Sequence, residues 1–482
     1  MKMIRYKDSI IESALFFLVF TCFLVVAAFV FPQVDEHIFC VSTEPNIHSI
    51  LNYCVSYGNG RLIGNFLCVA FSHLYIMKPV FISIIMTLLI FSLYKLFFSG
   101  KTEMILPMTV LCLCAPAEML EATMYNFPSF TNYVVPCAIF ILIFAVMTRE
   151  IRIRNQILRI GIIAILNVSA CLFSENSTGI IVAFAVLFVV LKIRNKKKII
   201  LDDVVFFASI IVGSFLMYII PKLANVDTKL DSYHSLTFSV TEILSNFMLS
   251  MDIVSDFVLL SITLSFCLLG LTLKKRKLTF ADSICIVVVL LYILVSIMLL
   301  NKENDALTRA LISFLSILFF CAVAFLVVKL PMRKSRYICL GLLILIMASV
   351  IPMSFINILS HRTFYITFIM VLLLCLYLLK ETINELKFIG NFFLKFKNVV
   401  VMTFAIFVMV VSVTQFQHQA EKFGNYVFQN EMIKGNYSQS YAEKFESGIN
   451  TEIYAFALEN SKYFNPRESV IWPRESWIGI FQ

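Results

Sequence analysis

Apolar stretches of about 15 to 20 residues alternate along the whole chain with short polar ones. A helix that crosses a bilayer needs about 20 mostly apolar residues, because each residue adds only ~1.5 Å of rise. The pattern predicts an all-α integral membrane protein with about 13 transmembrane helices (11–13). The predicted crossings are 12–32, 79–98, 104–118, 132–148, 158–173, 178–192, 203–221, 252–272, 281–300, 308–329, 337–356, 363–380 and 399–415.

Composition supports lipid as the solvent. The 482 residues are 60% hydrophobic and only 14% charged, against about 25% charged in soluble domains. The first apolar stretch, from about residue 11 to residue 31, is longer than the 7–15 residues of a signal-peptide core, and we expect it to be retained as the first helix. The net charge of +9 is explained by membrane topology rather than by nucleic-acid binding.

The positive charges predict which loops face the cytoplasm. Threading the crossings through a bilayer puts most Lys and Arg residues on one side, as the positive-inside rule requires. This orientation predicts a cytoplasmic N-terminus and an extracytoplasmic C-terminus, with one membrane domain (1–415) and a short outer tail (416–482). The basic stretches lie around residues 2–7, 95–101, 149–159, 192–198, 274–277, 329–336 and 380–397.

The first outer loop, 33–78, has the most unusual polar residues. Asp35 and Glu36 follow the first helix directly, and Tyr57 and Arg61 flank a Gly-Asn-Gly turn. Polar residues then recur with helical spacing (Arg61, Asn65, Cys68, Ser72), which predicts an interfacial helix over about 61–75 or a simple amphipathic connector. Two cysteines of this loop, Cys40 and Cys54, could form a disulfide or remain free.

Charged residues also mark the other outer loops. Each one alone is more often a solvated loop charge, since ionisable groups at the end of a helix can reach water. Together they place carboxylates beside cations at one membrane surface, an arrangement suited to group transfer from a lipid phosphate. A carboxylate would act as general base, and Arg and Lys would stabilise the leaving phosphate. The residues are Glu118, Glu121, Glu175, Lys302, Glu303, Asp305, Arg309, His361 and Arg362.

These motifs resemble those of the GT-C-type, polyprenyl-phosphate-sugar-dependent glycosyltransferases, including phage-type O-antigen glucosyltransferases. The likeness rests on Asp35-Glu36 after the first helix, on Tyr57-x-x-Gly60-Arg61 and on Glu175-Asn176 at the start of a crossing. The chain lacks a large C-terminal catalytic domain and a Trp-Trp-Asp-like motif.

The resemblance implies inverting sugar transfer on the outer face, from undecaprenyl phosphate in a bacterial inner membrane, to a glycan or lipid acceptor. It implies no metal and no other cofactor. It makes Asp35 the base with Glu36 as its partner, and Arg61 a donor-phosphate ligand. Glu175 would bind a sugar hydroxyl or orient an arginine. Tyr57, Glu121, Arg309 and Arg362 are further substrate-binding candidates, the two arginines by side and charge alone.

Other functions fit parts of the pattern. A polymerase of O-antigen or capsule repeat units also has about twelve crossings, but it usually places a large, Arg-rich outer loop late in the chain. A transporter or flippase of a lipid-linked glycan often shows internal repeats, and none is visible here. A structural or sensory membrane protein is a third alternative. Membrane lipid is an expected partner in every case, and nucleic acid in none.

Overall fold

The computed structural model describes residues 2–28, 30, 43, 46–56, 60–74, 77–194, 196, 198–223, 239–275, 278–299, 306–330, 332–356 and 360–433. Most of the residues in these ranges are helical, and no strand occurs among them. The apolar runs thus take the conformation that satisfies every backbone polar group within the segment, as lipid requires.

The helices are numbered here in chain order. They are α1 (Lys2–Ala27), α2 (Ile47–Ser56), α3 (Leu62–His73), α4 (Lys78–Phe98), α5 (Ile105–Leu113), α6 (Ala117–Thr123), α7 (Phe127–Met147), α8 (Gln156–Cys171), α9 (Glu175–Arg194), α10 (Leu201–Leu223), α11 (Val240–Ser255), α12 (Val258–Lys275), α13 (Phe280–Leu299), α14 (Ala306–Val328), α15 (Arg333–Val350), α16 (Tyr365–Glu385), α17 (Lys387–Lys395) and α18 (Lys397–Ile433).

Ten of the helical segments in the described residues are long and apolar enough to cross a membrane, or up to twelve if each of two bent pairs is one span. The pairs are α5 with α6, bent by 87°, and α11 with α12, bent by 76°. Pro116 explains the first bend, because a proline disfavours helical geometry in the residue before it. The predicted crossing 158–173 corresponds to α8, a 16-residue helix that is shorter than a full span. A multi-pass membrane protein is confirmed, and the exact count stays a prediction.

Three boundaries differ from the sequence prediction. Residues 240–251, assigned to an outer loop, belong to α11, and α11 ends at Ser255 inside the predicted crossing 252–272. The last helix continues beyond residue 415 to Ile433, so the first part of the predicted tail is helical. Polar residues at these places do not interrupt helices because helix propensities of charged and amide residues are only slightly lower than that of alanine.

Helix α3 lies where an interfacial helix is predicted, but its polar stripe faces the protein. Asn65, Cys68 and Ser72 are buried, and Gly64 contacts α7 so closely that an added Cβ would lie 2.0 Å from Asn132 Oδ1. The polar stripe of α3 is therefore turned towards the protein and not towards water, and Gly64 allows α3 to pack tightly on α7.

The most buried spans are α7 and His361–Glu385, which contains α16. In the best apolar windows of these spans, 83% and 78% of the residues are buried, against 22% for α13 and 17% for α18. Since lipid replaces protein around the outer helices, large apolar side chains such as Phe280 and Met402 are exposed there. The bundle thus has central helices, α7 and α16, surrounded by lipid-facing ones.

At the end of the bundle where the basic loops lie, ion pairs connect the helices to one another. Asp202 at the start of α10 accepts hydrogen bonds from Arg159 Nε (2.9 Å) and from Arg149 Nη2 (3.0 Å). Further pairs at this end are Lys192–Asp203, Lys95–Glu12, Lys329–Asp282, Lys397–Glu103 and Lys274–Glu385. We call this end of the bundle the basic end, and the opposite one the acidic end.

Candidate functional site

The acidic end brings together residues from helices that are far apart in the chain. This end comprises the turn before α3, the bend between α5 and α6, the first turns of α7 and α9, the break between α11 and α12, and the turn before α16. Contacts between them link two groups of charged side chains, one around Arg61 and one around His361.

Arg61 and Glu175 form an ion pair between residues 114 positions apart. Arg61 donates through Nη2 to Glu175 Oε2 (2.9 Å) and through Nε to the same oxygen (3.0 Å). Both side chains are partly buried, and the two-nitrogen geometry fixes the plane of the guanidinium. The structure therefore brings together two residues selected from sequence, with Glu175 in the place of a group that orients an arginine.

The backbone around Arg61 is held closely against its neighbours. Gly60 has a φ of +75°, and a Cβ there would lie 2.2 Å from the carbonyl oxygen of Met217, so only glycine fits. The backbone N–H of Ile63 donates to Leu172 O at 3.1 Å, which ties α3 to the turn that precedes Glu175. The position of the ion pair is thus fixed by backbone contacts as well as by its own charges.

The second group consists of three carboxylates, a histidine and an arginine. His361 Nε2 lies 2.8 Å from Glu118 Oε2 and 3.9 Å from Asp256 Oδ2. Asp252 and Arg309 both lie close enough to Asp256 to affect it electrostatically. We call these five residues the carboxylate cluster; they come from α6, α11, the break after it, α14 and the turn before α16.

Asp256 is the most perturbed acid of the carboxylate cluster. Its pKa is raised to about 7, chiefly by burial and then by the nearby negative charges of Asp252 and Glu118, against the opposing charge of Arg309. A carboxyl group that titrates near neutral pH can accept a proton and release it again under physiological conditions. Asp256 is therefore the described carboxylate of this end that is best suited to proton transfer.

Arg362 is next to His361 and reaches the first turns of α7. Its Nη1 lies 3.4 Å from Ser129 Oγ, at the long end of a hydrogen bond. Its Nε is buried and has no hydrogen-bond partner within the described part of the chain. Because an unsatisfied buried donor is unfavourable, this guanidinium is suited to an acceptor that the protein itself does not supply there.

The first turns of α7 separate the two groups. Asn126 caps this helix by accepting a hydrogen bond from the backbone N–H of Ser129 (3.1 Å), and residues Phe130–Val134 form a π-helical turn. Such turns occur often at functional sites. Here Ser129 lies beside Arg362 and Asn132 lies beside Gly64, so one short segment connects Arg362 with the helix that follows Arg61.

The remaining sequence-selected residues have other positions. Glu121 pairs with His418 of α18 (Oε1 to Nε2, 3.0 Å), and Tyr125 near it donates to Gln415 Oε1. Several sequence-selected residues lie outside the described residues. They are the proposed catalytic base Asp35, its partner Glu36, and Tyr57, Lys302, Glu303, Asp305 and Cys40. The roles proposed for them stay predictions. Cys54, the other half of the possible disulfide, is buried in α2 beside Cys68.

Sequence reasoning missed three residues of this end. Asp252 and Asp256 are four positions apart at the beginning of a predicted crossing, and that spacing places two acids on one helix face. Lys78, the first residue of α4, is completely buried, and its ammonium lies 5.2 Å from the centre of the Phe127 ring. No pattern in the sequence distinguishes Lys78 from an ordinary basic residue at the end of a helix.

Comparison with known proteins adds no relative: no protein-family model, no curated protein and no solved structure matches this chain.

Proposed function

We propose that this protein is a membrane glycosyltransferase of the GT-C type, which transfers a sugar from a polyprenyl-phosphate donor to a glycan or lipid acceptor. The observation that carries the proposal is the convergence of Arg61, Arg362 and the carboxylate cluster on one end of the bundle. Guanidinium groups bind phosphate by paired hydrogen bonds, and carboxylates bind sugar hydroxyls and take protons from them. Both are required where a lipid-phosphate sugar is the donor.

The proposed reaction is a single displacement with inversion. A carboxylate takes the proton of the acceptor hydroxyl, and the acceptor oxygen forms a bond to the anomeric carbon of the sugar. The bond from that carbon to the phosphate oxygen breaks at the same time, and polyprenyl phosphate leaves with the electron pair. The arginines stabilise the negative charge that develops on the phosphate, so the proposal requires no metal ion.

Two carboxylates are candidates for the base. Asp35, with Glu36 as its partner, is proposed from the resemblance to GT-C enzymes. Asp256 is the alternative among the described residues, because its raised pKa suits proton transfer near pH 7. Glu175 has the supporting role of orienting Arg61 for the donor phosphate, and Arg309 and Arg362 are the other proposed phosphate ligands.

The proposed orientation puts the basic end in the cytoplasm and the acidic end on the outer face. The N-terminus would then be cytoplasmic, and the C-terminus extracytoplasmic, in a bacterial inner membrane. The basic loops support this orientation through the positive-inside rule. The acidic end would face the compartment in which polyprenyl-linked sugars are used for surface glycans.

A repeat-unit polymerase is less well supported. Residues 222–251, where a late outer loop with arginines would be expected, contain no arginine. Part of this stretch forms the beginning of α11, which supplies Asp252 to the carboxylate cluster. The arginines of the acidic end come from elsewhere, namely Arg61, Arg309 and Arg362.

Binding and turnover of the full-length protein in detergent test the proposal. Native mass spectrometry would measure binding of undecaprenyl phosphate, and release of this lipid from a panel of undecaprenyl-phosphate hexoses would measure turnover. We expect specific binding that Arg61→Ala weakens and Glu150→Gln, an exposed acid of the basic end, leaves unchanged. A parent protein that binds no more undecaprenyl phosphate than undecaprenol, the same lipid without the phosphate, would refute the proposed function.

A further inference from the structure

The basic end contains a cavity that the proposed function does not use. It has a volume of about 250 Å³ and lies between the turn before α5, the end of α16 and helix α17. Its polar lining consists of Lys101, Glu103, Asn384 and Asn391. This volume is below the ~300–1,000 Å³ of sites for drug-sized ligands, so a small polar group is a suitable occupant.

The cations near the cavity exceed the acids. Lys101 Nζ donates to the uncharged Asn384 Oδ1 (3.2 Å), and no carboxylate of the described residues lies within ion-pair distance of it. Lys397 Nζ lies 3.7 Å from Glu103 Oε2, which is the buried acid of the lining. Lys395 is exposed nearby on α17. Lys192 and Lys329 of this end are each paired with a buried acid, whereas Lys101 faces, among the described residues, only the amide of Asn384 and is available for an anion.

Helix α17 has the pattern of a helix that lies in a membrane surface. Phe388, Phe392 and Phe396 are four residues apart and are 82%, 47% and 40% exposed. The neighbouring face, with Ile389 and Phe393, packs on the protein core. An exposed aromatic row beside lysines is typical of amphipathic helices whose apolar face enters the acyl chains of an anionic membrane.

The cavity exists because α17 approaches α16 closely. A Cβ on Gly390 would lie 2.9 Å from the carbonyl oxygen of Ile383, so a larger residue would push α17 away. The exposed aromatic row therefore lies beside the polar lining of the cavity. If this row enters the acyl chains, the cavity lies at the depth of the lipid headgroups.

We propose that this cavity binds the phosphate headgroup of an anionic phospholipid of the same leaflet, with Lys101 as its main ligand and the aromatic row of α17 against its acyl chains. The occupant is a membrane lipid rather than a soluble phosphate, because the aromatic row provides a binding surface only for a molecule with acyl chains. This site is independent of the sugar-transfer site at the opposite end.

The test uses the full-length protein in a non-ionic detergent. Native mass spectrometry would give the apparent Kd for phosphatidylglycerol, for phosphatidylcholine and for glycerol phosphate, which has the headgroup chemistry without acyl chains. We expect clearly tighter binding of phosphatidylglycerol than of either comparison compound. Equal binding of phosphatidylcholine would overturn the role of charge, and equal binding of glycerol phosphate would overturn the role of the acyl chains.

Matched variants locate the site. Lys101→Gln should weaken phosphatidylglycerol binding about fivefold, from the typical contribution of a lysine near an anionic surface. Lys334→Gln removes an exposed lysine of the same end, outside the cavity, and should have no effect. Asn391→Leu, on the exposed side of the lining, is a second variant that should also weaken binding. Equal losses in Lys101→Gln and Lys334→Gln would mean a diffuse surface charge and would refute the cavity as the site.

Discussion

At the basic end of the bundle, each buried acid of the described residues meets a cation, whereas in the carboxylate cluster of the acidic end three acids share one histidine and one arginine. Asp202, Asp203, Asp282 and Glu103 are buried and paired. The acids of the carboxylate cluster are more exposed, and the separation of 3.9 Å between His361 and Asp256 is long for an ion pair.

This difference distinguishes charges that hold the fold from charges that are available for chemistry. A buried acid without a partner would be strongly unfavourable, so the pairs of the basic end are fixed in one arrangement. The carboxylate cluster keeps acids close together, and their charges add to burial in raising the pKa of Asp256. The following experiments test the contrast, from the largest expected effect to the smallest.

Asp35→Asn should lower the rate of sugar transfer by about 10²–10⁴-fold, which nearly abolishes it, because the proposed general base is lost. Expression and membrane insertion should be unchanged, since an amide has the same shape. Turnover of an undecaprenyl-phosphate sugar measures the effect, with Asp256→Asn assayed in parallel. Full activity of Asp35→Asn together with an inactive Asp256→Asn would move the role of base to the carboxylate cluster.

Asp202→Asn should destabilise the protein by about 3 kcal/mol, because Arg159 would remain buried without its counter-charge. The thermal unfolding midpoint in detergent measures this loss. Glu385→Gln is the control at the same end, since the Lys274–Glu385 pair is more exposed and should contribute less than about 1 kcal/mol. Equal midpoints for both variants would contradict the structural role assigned to the buried pairs.

Arg61→Ala should raise the KM for the donor about tenfold, as expected for loss of a charge-assisted hydrogen bond of roughly 1.5 kcal/mol. Arg61→Lys should recover little, because an ammonium lacks the two parallel N–H groups. Steady-state kinetics at varied donor concentration measures both. An unchanged KM with a lowered unfolding midpoint would show that the Arg61–Glu175 pair only connects α3 with α9.

Asp256→Asn should stabilise the protein slightly above neutral pH. The pKa of Asp256 is raised in the folded state, so its favourable contribution is complete below the unfolded pKa near 4 and is lost as the pH rises through about 7. The side chain is half exposed, which reduces the expected gain at pH 8 to the order of 1 kcal/mol. Unfolding midpoints between pH 4 and pH 8 measure it, with Glu150→Gln as control. A pH-independent difference between parent and variant would exclude titration of Asp256 as the cause.

Much of the fold was predictable because lipid imposes a simple rule on the sequence. The apolar runs were found as helices, since only helices or closed barrels satisfy the backbone in lipid. Bends were harder to predict. Pro116 marks the bend between α5 and α6, whereas neither proline nor glycine marks the break at Asp256 in the sequence. The C-terminal end of α18 was predicted too early. Hydropathy marks only the apolar run, whereas the helix continues into the polar residues that follow it.

The candidate site was predictable only in part. Arg61 and Glu175 were selected separately, by position in an outer loop and at the start of a crossing, and the structure places them 2.9 Å apart. Asp252 and Asp256 were not selected, because they were read as the polar edge of a crossing. Their role depends on Glu118 and His361, more than 100 positions away in the chain on either side.

The sequence by itself determined that this protein crosses a membrane many times and that its basic loops share one side. Both follow from local properties, hydropathy and charge, that act over about 20 residues. Only the tertiary structure decided which charges neutralise each other, because pairing depends on distances of a few ångströms between helices that are far apart in the chain. That difference places structural ion pairs at one end of the bundle and incompletely paired, chemically available groups at the other.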